Sequence, residues 1–286
     1  MLEPSPPAVH DEPWFADDPV ARGDAASVVS PVSGGDARWS ELAADDPSLA
    51  DFCRERWLGP YKALEPVPPT LAATRAALHA VAERVISPAR ARDNGKIGLR
   101  WTLGGFGTPY FGADAQIRVD GGQLVIGVGG EEQRHPLSSV RDAAAAVGFD
   151  LSGADEDAAD DPLEIDAAAA HFVGDWFGFV TSVLEQLRAE ADEAWEPSRV
   201  QLWPEHFDVA VEIAGLGSTL GGSPGDELHP EPYLYATLWE AEPADELWNA
   251  VGFTGAELLY SDLLAAPDQR EAALDFFRVR LARLNA

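Results

Sequence analysis

The strongest constraint on the fold is a change in hydrophobic periodicity near Lys96. Between residues 70 and 86, apolar side chains recur at helical spacing, whereas apolar and polar residues alternate from Ile97 to Leu103. The first pattern indicates a helix with one buried stripe, and the second indicates a half-buried strand. His79 lies off the helical stripe, four residues from both Arg75 and Glu83, which predicts an exposed charge ladder on this helix.

A hairpin follows the first strand. The segments 116–119 and 123–128 have strand-like alternation and flank Asp120-Gly121-Gly122. This tripeptide is a turn signal because glycine adopts positive φ without steric penalty. A short helix is predicted over 140–147, and it ends at Gly148. Helices combined with hairpin-linked strands predict an α+β fold, in which antiparallel sheets pack against helices.

The second half repeats this mixture of elements. Apolar residues cover more than one stripe of a helix predicted over 166–191, which indicates a helix buried between layers. Strands are predicted over 200–213 and 233–239, separated by a glycine-rich loop. A final helix is predicted over 267–284, with acidic residues early and arginines late, as the helix dipole favours.

Composition divides the chain into two lobes behind a tail. Residues 1–35 are rich in Pro, Ala, Ser and Asp, which predicts a disordered, acidic N-terminal tail. Residues 36–149 form the predicted N-terminal α+β lobe, and 166–286 form the C-terminal one. An acidic linker over 150–165 separates them, and a helix is predicted over 38–58.

The net charge limits the classes of partner. The chain carries a formal charge of −29, so polyanions such as nucleic acids and anionic membranes are not expected to bind it. No long apolar run predicts a membrane span, and the N-terminus lacks the pattern of a signal peptide. Cys53 is the single cysteine, which agrees with a reducing compartment. A cytoplasmic location is therefore expected.

One segment gathers residues typical of a binding site. In a strand over 200–213, Trp203, Phe207, Val209, Val211 and Ile213 would point one way, and His206, Asp208 and Glu212 the other. The following loop adds further acids and a histidine. Two alternatives remain, a hydrogen-bonded structural cluster and a divalent metal site. The predicted metal ligands are His206, Asp208, Asp226, His229 and Glu231. Because no lysine or arginine occurs between residues 200 and 240, any site here should favour a cation.

A second candidate is cationic. Lys96, Arg100 and Arg118 share the polar parity of their strands, within a segment that is locally basic. They would either bind an anionic ligand or pair internally with the abundant carboxylates.

No catalytic set of acid, base and nucleophile is recognisable. Ser223 lies in a G-x-S-x-G pattern, but the next residue is Pro224, which has no N–H to stabilise an oxyanion. A tight turn is the better interpretation. The sequence thus favours a small-ligand-binding or protein-interaction module over an enzyme. The alternative is a metal-dependent enzyme that uses His206, Asp208, Asp226 and His229.

Several strings resemble an uncharacterised family of cytoplasmic actinobacterial proteins. They span most of residues 39–250 and read FCRERWLGPYKAL, LHAVAERVISPAR, GKIGLRWTLGGFGTP, LWPEHFDVAV, SPGDE, PEPYLY and LWN. The resemblance implies membership of that family and assigns no reaction, ligand or site residue.

Overall fold

The structure of the protein is a computed structural model. The structure describes residues 27–29, 36–38, 63–102, 104–109, 115–128, 131–151, 158–240 and 246–286. Strands β1 (Ser27–Val29) and β2 (Asp36–Arg38) pair antiparallel. The rest of the predicted tail, and the predicted helix over 38–58 beyond Arg38, lie outside the described residues.

The first half contains a long helical segment, a sheet and a short helix. The bounds are α1 Leu71–Val81, a π-helical turn Ala82–Ile86, α2 Ser87–Asn94, β3 Arg100–Thr102, β4 Gly105–Gly107, β5 Ala115–Asp120, β6 Gln123–Val128, β7 Glu131–Pro136 and α3 Val140–Ala146. The predicted hairpin is confirmed: Asp120 pairs with Gln123, and Gly121 and Gly122 both have positive φ.

The second half has the same order of helix, sheet and helix. Its bounds are α4 Ala167–Glu190, β8 Gln201–Trp203, β9 Asp208–Ile213, β10 Ser218–Ser223, β11 Tyr233–Leu238, β12 Gly255–Leu259, α5 Tyr260–Ala265 and α6 Gln269–Leu284. The Asp166 side chain caps α4 by accepting from the N–H of Ala169, and Asp268 caps α6 through the N–H of Glu271.

Among the described residues, the strands of each half form an antiparallel five-stranded sheet, in the orders β3-β4-β5-β6-β7 and β12-β11-β10-β9-β8. Leu99 and Leu202 join the two sheets, because each backbone N–H donates to the other residue's carbonyl at 2.8 Å. The α+β fold with antiparallel sheets packed against helices is confirmed.

Helix α4 is the centre of the core. It contacts β3, β4 and β5 of the first sheet and β9 and β10 of the second. Its large apolar side chains, including Trp176, Phe177 and Phe179, are fully buried. In the part of the chain that the structure describes, the stretch 167–188 is long and apolar enough to cross a membrane, but 72% of its most apolar window is buried within the protein.

The helix predicted over 70–86 is longer than expected, because it continues through the π-helical turn into α2. A proline inside a helix lacks an N–H donor, and its ring crowds the carbonyl four residues earlier. For Pro88 that carbonyl belongs to Arg84, which lies within the π-helical turn. This wider turn lets the chain stay helical past Pro88.

The strand predicted over 200–213 was wrong, because the segment forms two strands of a hairpin. Residues 204–207 make the turn, Phe207 has a φ of +52°, and Trp203 pairs with Asp208. Pro204 begins the turn, where it has no N–H to give to a sheet. The predicted glycine-rich loop was also wrong in part, since residues 218–223 form the central strand β10.

The sequence also predicted wrongly which side chains of the strand at 97–103 are buried. Ile97 is 41% exposed, whereas Arg100 and Thr102 are buried. The strand is covered on both faces at the junction of the two sheets. Arg100 lines a narrow cleft there with Glu185 of α4 and Arg199, so its polar group meets other polar groups and does not face open solvent.

The described part of the predicted acidic linker packs against α3. Arg141 forms an ion pair of 2.7 Å with Asp160, its backbone N–H donates to the carbonyl of Ala159, and Ala159 itself is buried. The division of the chain into lobes at 150–165 stays a prediction.

Candidate ligand-binding cavity

An open cavity of about 880 Å³ lies on one face of the second sheet. Its lining combines aromatic rings, carboxylates and hydroxyl groups. The lining residues are His79, Trp203, Glu205, His206, Asp208, Ala210, Glu212, Thr219, Ser223, Asp226, Tyr233, Tyr235, Thr237 and Phe253.

The strand register explains why these side chains share a face. Residues that are directly opposite on neighbouring strands point to the same side of a sheet. Ala210, Gly221, Tyr235 and Glu257 form one such row across four strands. Side chains of the alternate positions, such as Leu220 and Leu234, are fully buried on the α4 side. One face of the sheet therefore belongs to the core, and the other forms the cavity floor.

Asp208 and Tyr235 form the central polar pair of the floor. The Tyr235 hydroxyl on β11 donates a hydrogen bond to Oδ2 of Asp208 on β9, and this bond passes over the intervening strand β10. Gly221 on β10 makes this possible, because a Cβ at that position would overlap the Tyr235 ring. The glycine thus has a steric role in the site, in addition to any effect on the backbone.

Asp208 is the most perturbed acid of the cavity. Only 6% of the residue is exposed, and burial raises the pKa of its carboxyl to about 6, despite the Tyr235 hydrogen bond and the nearby His206, which both lower it. Its second oxygen, Oδ1, is buried without a hydrogen-bond partner in the protein. An unpaired buried acceptor is costly, so this oxygen would gain from a hydrogen-bond donor that reached it.

A second hydrogen-bonded cluster lies beside the Asp208–Tyr235 pair. His229 Nδ1 lies 3.3 Å from Asp226 Oδ1, and its Nε2 lies 3.1 Å from Glu257 Oε2. Tyr233 donates to Asp226 Oδ2 at 2.8 Å. Burial opposes the ionised form of Asp226, but the N–H groups of His229 and Leu228 and the Tyr233 hydroxyl together lower its pKa. Burial and Asp226 raise the pKa of Tyr233.

Helix α1 supplies another wall of the cavity. The His79 ring stacks on Phe207, with centroids 5.3 Å apart, and its Nε2 is buried without a partner. Arg75 donates to the carbonyl of Asp226 at 3.1 Å. The predicted exposed charge ladder was therefore wrong: His79 is partly buried by packing against the β8–β9 turn, which the sequence of the helix alone does not show.

The five predicted metal ligands are placed in different surroundings. His206 is exposed in the β8–β9 turn, and Asp208 is bonded to Tyr235. Asp226 and His229 are bonded to each other, and Glu231 accepts from the N–H and hydroxyl of Ser261 at the start of α5. Within the described ranges, no group of three or more His, Cys, Asp or Glu is arranged to hold a metal ion. The metal site stays a prediction.

The predicted cationic residues lie in or next to the first sheet, outside the cavity lining. Arg118 pairs with Asp120 at 3.2 Å and with Glu132 at 2.8 Å, and these bonds raise its pKa against the effect of burial. Arg100 shares a register row with Arg118 through Gly107, and its Nε donates to the carbonyl of Trp101. Lys96 precedes β3 and is partly buried. Anion binding by Lys96, Arg100 and Arg118 stays a prediction.

Ser223 ends β10 and is buried. Its hydroxyl accepts from the N–H of Gly225 at 3.1 Å, and bends follow it in place of a helix. This is the tight turn that Pro224 predicts, and it lacks the strand-to-helix elbow of a serine hydrolase.

Sequence reasoning missed the aromatic half of the cavity. Tyr233, Tyr235 and Phe253 line it beside the predicted acids. The available signal was the parity of Tyr233 and Tyr235 on their strand, which places both phenol groups on one face. Phe253 and Glu257 gave no comparable signal, because their segment has no clear periodicity.

Replacing Tyr235 with Phe should raise the pKa of Asp208 above its value of about 6. The substitution removes the hydrogen bond that stabilises the carboxylate and leaves its burial in place. A ¹³C NMR titration of aspartate side chains should show one midpoint that moves upward by about one unit. Gly221→Ala should cause a similar shift, because its Cβ displaces the ring. An unchanged midpoint in both variants would contradict the role given to this bond.

The chain has no significant match among known protein-family models, curated proteins or solved structures. The class of protein is therefore defined by the fold and the cavity: an α+β protein with an acidic, aromatic cavity on one sheet face.

Proposed function

We propose that this protein binds a small organic cation in the cavity above Asp208. The observation that carries the proposal is the buried Oδ1 of Asp208, an acceptor without a partner among aromatic walls. At neutral pH a carboxyl group with a pKa of about 6 is mostly ionised. A cationic N–H donor would satisfy its free oxygen and offset its charge.

The size and walls of the cavity agree with such a ligand. Small-molecule pockets commonly have volumes of roughly 300 to 1,000 Å³ and apolar or aromatic walls with a few polar groups. Trp203, Tyr233, Tyr235 and Phe253 supply aromatic surface here. Aromatic faces attract cations through the ring quadrupole, and the attraction is larger where the cation is desolvated.

The acids and tyrosines of the lining favour hydrogen-bond donors in the ligand. Both tyrosine hydroxyls donate to carboxylates, so their remaining lone pairs can only accept. Glu205, Glu212 and Asp226 add further acceptors to the lining. Ammonium and guanidinium groups present several N–H donors and no acceptor, and they match these acceptors better than an anion or a neutral carbonyl compound does.

The setting proposed for this function is cytoplasmic. A chain with one cysteine and a charge of −29 agrees with a reducing compartment, and its charge disfavours nucleic acids and anionic membranes as partners. A small-molecule ligand or a protein partner is the expected occupant.

Calorimetry with four probes tests the proposal. Agmatine, putrescine and choline carry cationic groups, and N-butylurea is a neutral control. We expect agmatine to bind most tightly, and Asp208→Asn to weaken it about tenfold or more, because a charge-assisted hydrogen bond is lost. Affinity should also fall below about pH 6, as Asp208 is protonated.

The control variant is Asp275→Asn, which makes the same change of charge on the exposed side of α6 and should bind agmatine as the parent does. Equal binding of N-butylurea and agmatine, or equal loss of agmatine binding in both variants, would contradict the proposal.

A melting series with Mg²⁺, Mn²⁺, Ca²⁺ and Zn²⁺ tests the alternative of a metal site. It compares the parent with the double variant His206→Ala, Asp208→Asn. A rise in melting temperature confined to the parent would favour a metal-dependent enzyme over an organic-cation binder.

A further inference from the structure

Three exposed apolar side chains belong to segments that also contribute to the cavity lining or contact it. Leu228 is 79% exposed, Val251 75% and Trp239 52%. Leu228 and the segment around Val251 lie together, because Leu228 Cδ1 is 3.9 Å from the position that a Cβ on Gly252 would take. We define these three residues, Leu228, Trp239 and Val251, as the apolar rim.

Two rim residues donate hydrogen bonds to residues of the cavity wall, and the third is close to one in the sequence. The N–H of Leu228 donates to Oδ1 of Asp226 at 2.7 Å, and Trp239 Nε1 donates to the hydroxyl of Thr219 at 3.0 Å. Val251 precedes Phe253 by two residues. The rim therefore adjoins the cavity mouth, and a ligand that fills only the cavity would leave the rim in water.

We propose that the organic cation is the side chain of an arginine or lysine in a polypeptide partner, whose neighbouring apolar residues cover the rim. This inference rests on the proposed function, since it names the carrier of the cation. Exposed apolar side chains beside a polar pocket are typical of protein-interaction sites. In such interfaces a few buried anchors carry most of the binding energy, and the contacts around them exclude water.

Charge complementarity identifies the partner's chemistry. The cavity lining contains the carboxylates of Glu205, Asp208, Glu212 and Asp226, and the chain as a whole carries −29. A basic segment is attracted to this surface, and an acidic one is repelled. The planar guanidinium of arginine can also stack on the tyrosine rings while it donates to Asp208, which makes arginine the better anchor than lysine.

Fluorescence anisotropy with defined peptides tests the inference. The probes are a labelled peptide acetyl-Gly-Leu-Arg-Leu-Gly-amide, the same peptide with glutamine at the arginine position, and N-acetylarginine methylamide as an unlabelled competitor. We expect the arginine peptide to bind about tenfold more tightly than N-acetylarginine methylamide, because its leucines bury the rim. The variant Leu228→Ser with Val251→Ser should remove this advantage and leave the affinity for N-acetylarginine methylamide unchanged.

The matched control is Val67→Ser with Val279→Ser, which removes two exposed valines outside the cavity and should leave the affinities for both arginine probes as in the parent. If N-acetylarginine methylamide binds and the peptide binds no more tightly, the inference is overturned and the proposed function stands. If neither arginine probe binds but agmatine does, the inference is overturned and the proposed function stands; if agmatine also fails to bind, both are overturned. Equal binding of the glutamine peptide would overturn the role of arginine as the anchor.

Discussion

Asp208→Asn is expected to stabilise the protein at about pH 8 by up to about 3 kcal/mol, although it removes a residue of the proposed site. Burial raises the pKa of the Asp208 carboxyl from 3.8 to about 6, and each pKa unit corresponds to about 1.4 kcal/mol. The ionised carboxylate therefore costs folding free energy at neutral and alkaline pH. Asparagine has nearly the same shape, accepts the Tyr235 hydroxyl and carries no charge.

The pH dependence gives this prediction its test. The folded state holds the Asp208 proton more tightly than the unfolded state between about pH 3.8 and 6, so the stability of the parent falls as pH rises through that window. The stabilisation by asparagine should be nearly absent below about pH 4 and complete above about pH 7. Urea denaturation at both extremes measures it. Asp275→Asn should show no comparable pH-dependent gain, and a loss of stability in Asp208→Asn at pH 8 would contradict the prediction.

A residue whose ionised side chain destabilises the folded protein, and which has a buried oxygen without a hydrogen-bond partner beside a cavity, is typical of a functional position. The same substitution should thus stabilise the chain and weaken cation binding. Opposite effects on stability and on binding distinguish a binding residue from a structural one, because replacing a structural residue would lower both stability and affinity.

Gly174→Ala is expected to destabilise the protein by about 3 kcal/mol, since overpacking against rigid neighbours has costs of that order. In a helix interior, alanine is normally favoured over glycine by about 1 kcal/mol. Here, however, a Cβ on residue 174 of α4 would lie 2.8 Å from the backbone N of Gly105 and 2.9 Å from its Cα. Backbone atoms of a sheet cannot move aside as a side chain can. The helix would have to move away from β4.

Gly178→Ala, one helical turn further along α4, is the matched control. Its Cβ would meet the ring of Trp101 at 2.9 Å, and that ring belongs to a partly buried side chain that can shift. Both substitutions gain the same intrinsic helix propensity, so we expect a clearly larger loss for Gly174. Urea denaturation measures the free energy of unfolding of both variants. Equal losses in the two variants, or a gain in stability for Gly174→Ala, would show that α4 does not pack on β4 as closely as described.

The sequence was sufficient to predict elements whose signals are local. The hairpin at Asp120-Gly121-Gly122, the short helix before Gly148 and the helices capped by Asp166 and Asp268 follow from turn chemistry, capping and helical spacing. Together they are enough for the α+β class. The acidic character of the candidate site was also predictable, because no lysine or arginine occurs between residues 200 and 240.

Three features could not be predicted from hydrophobic periodicity, because they depend on tertiary packing. They are the continuation of the first helix past Pro88, the break of the 200–213 strand and the central strand β10. Glycines at 221 and 222 weaken the strand signal in the sequence, yet they make room for the Tyr235 ring on one face and for Val180 of α4 on the other. Only the tertiary structure places Tyr235 over β10 to reach Asp208, and only burial by distant segments raises the pKa of that acid. The residue types of the candidate site are thus a property of the sequence, but its chemistry depends on which neighbours exclude water from them.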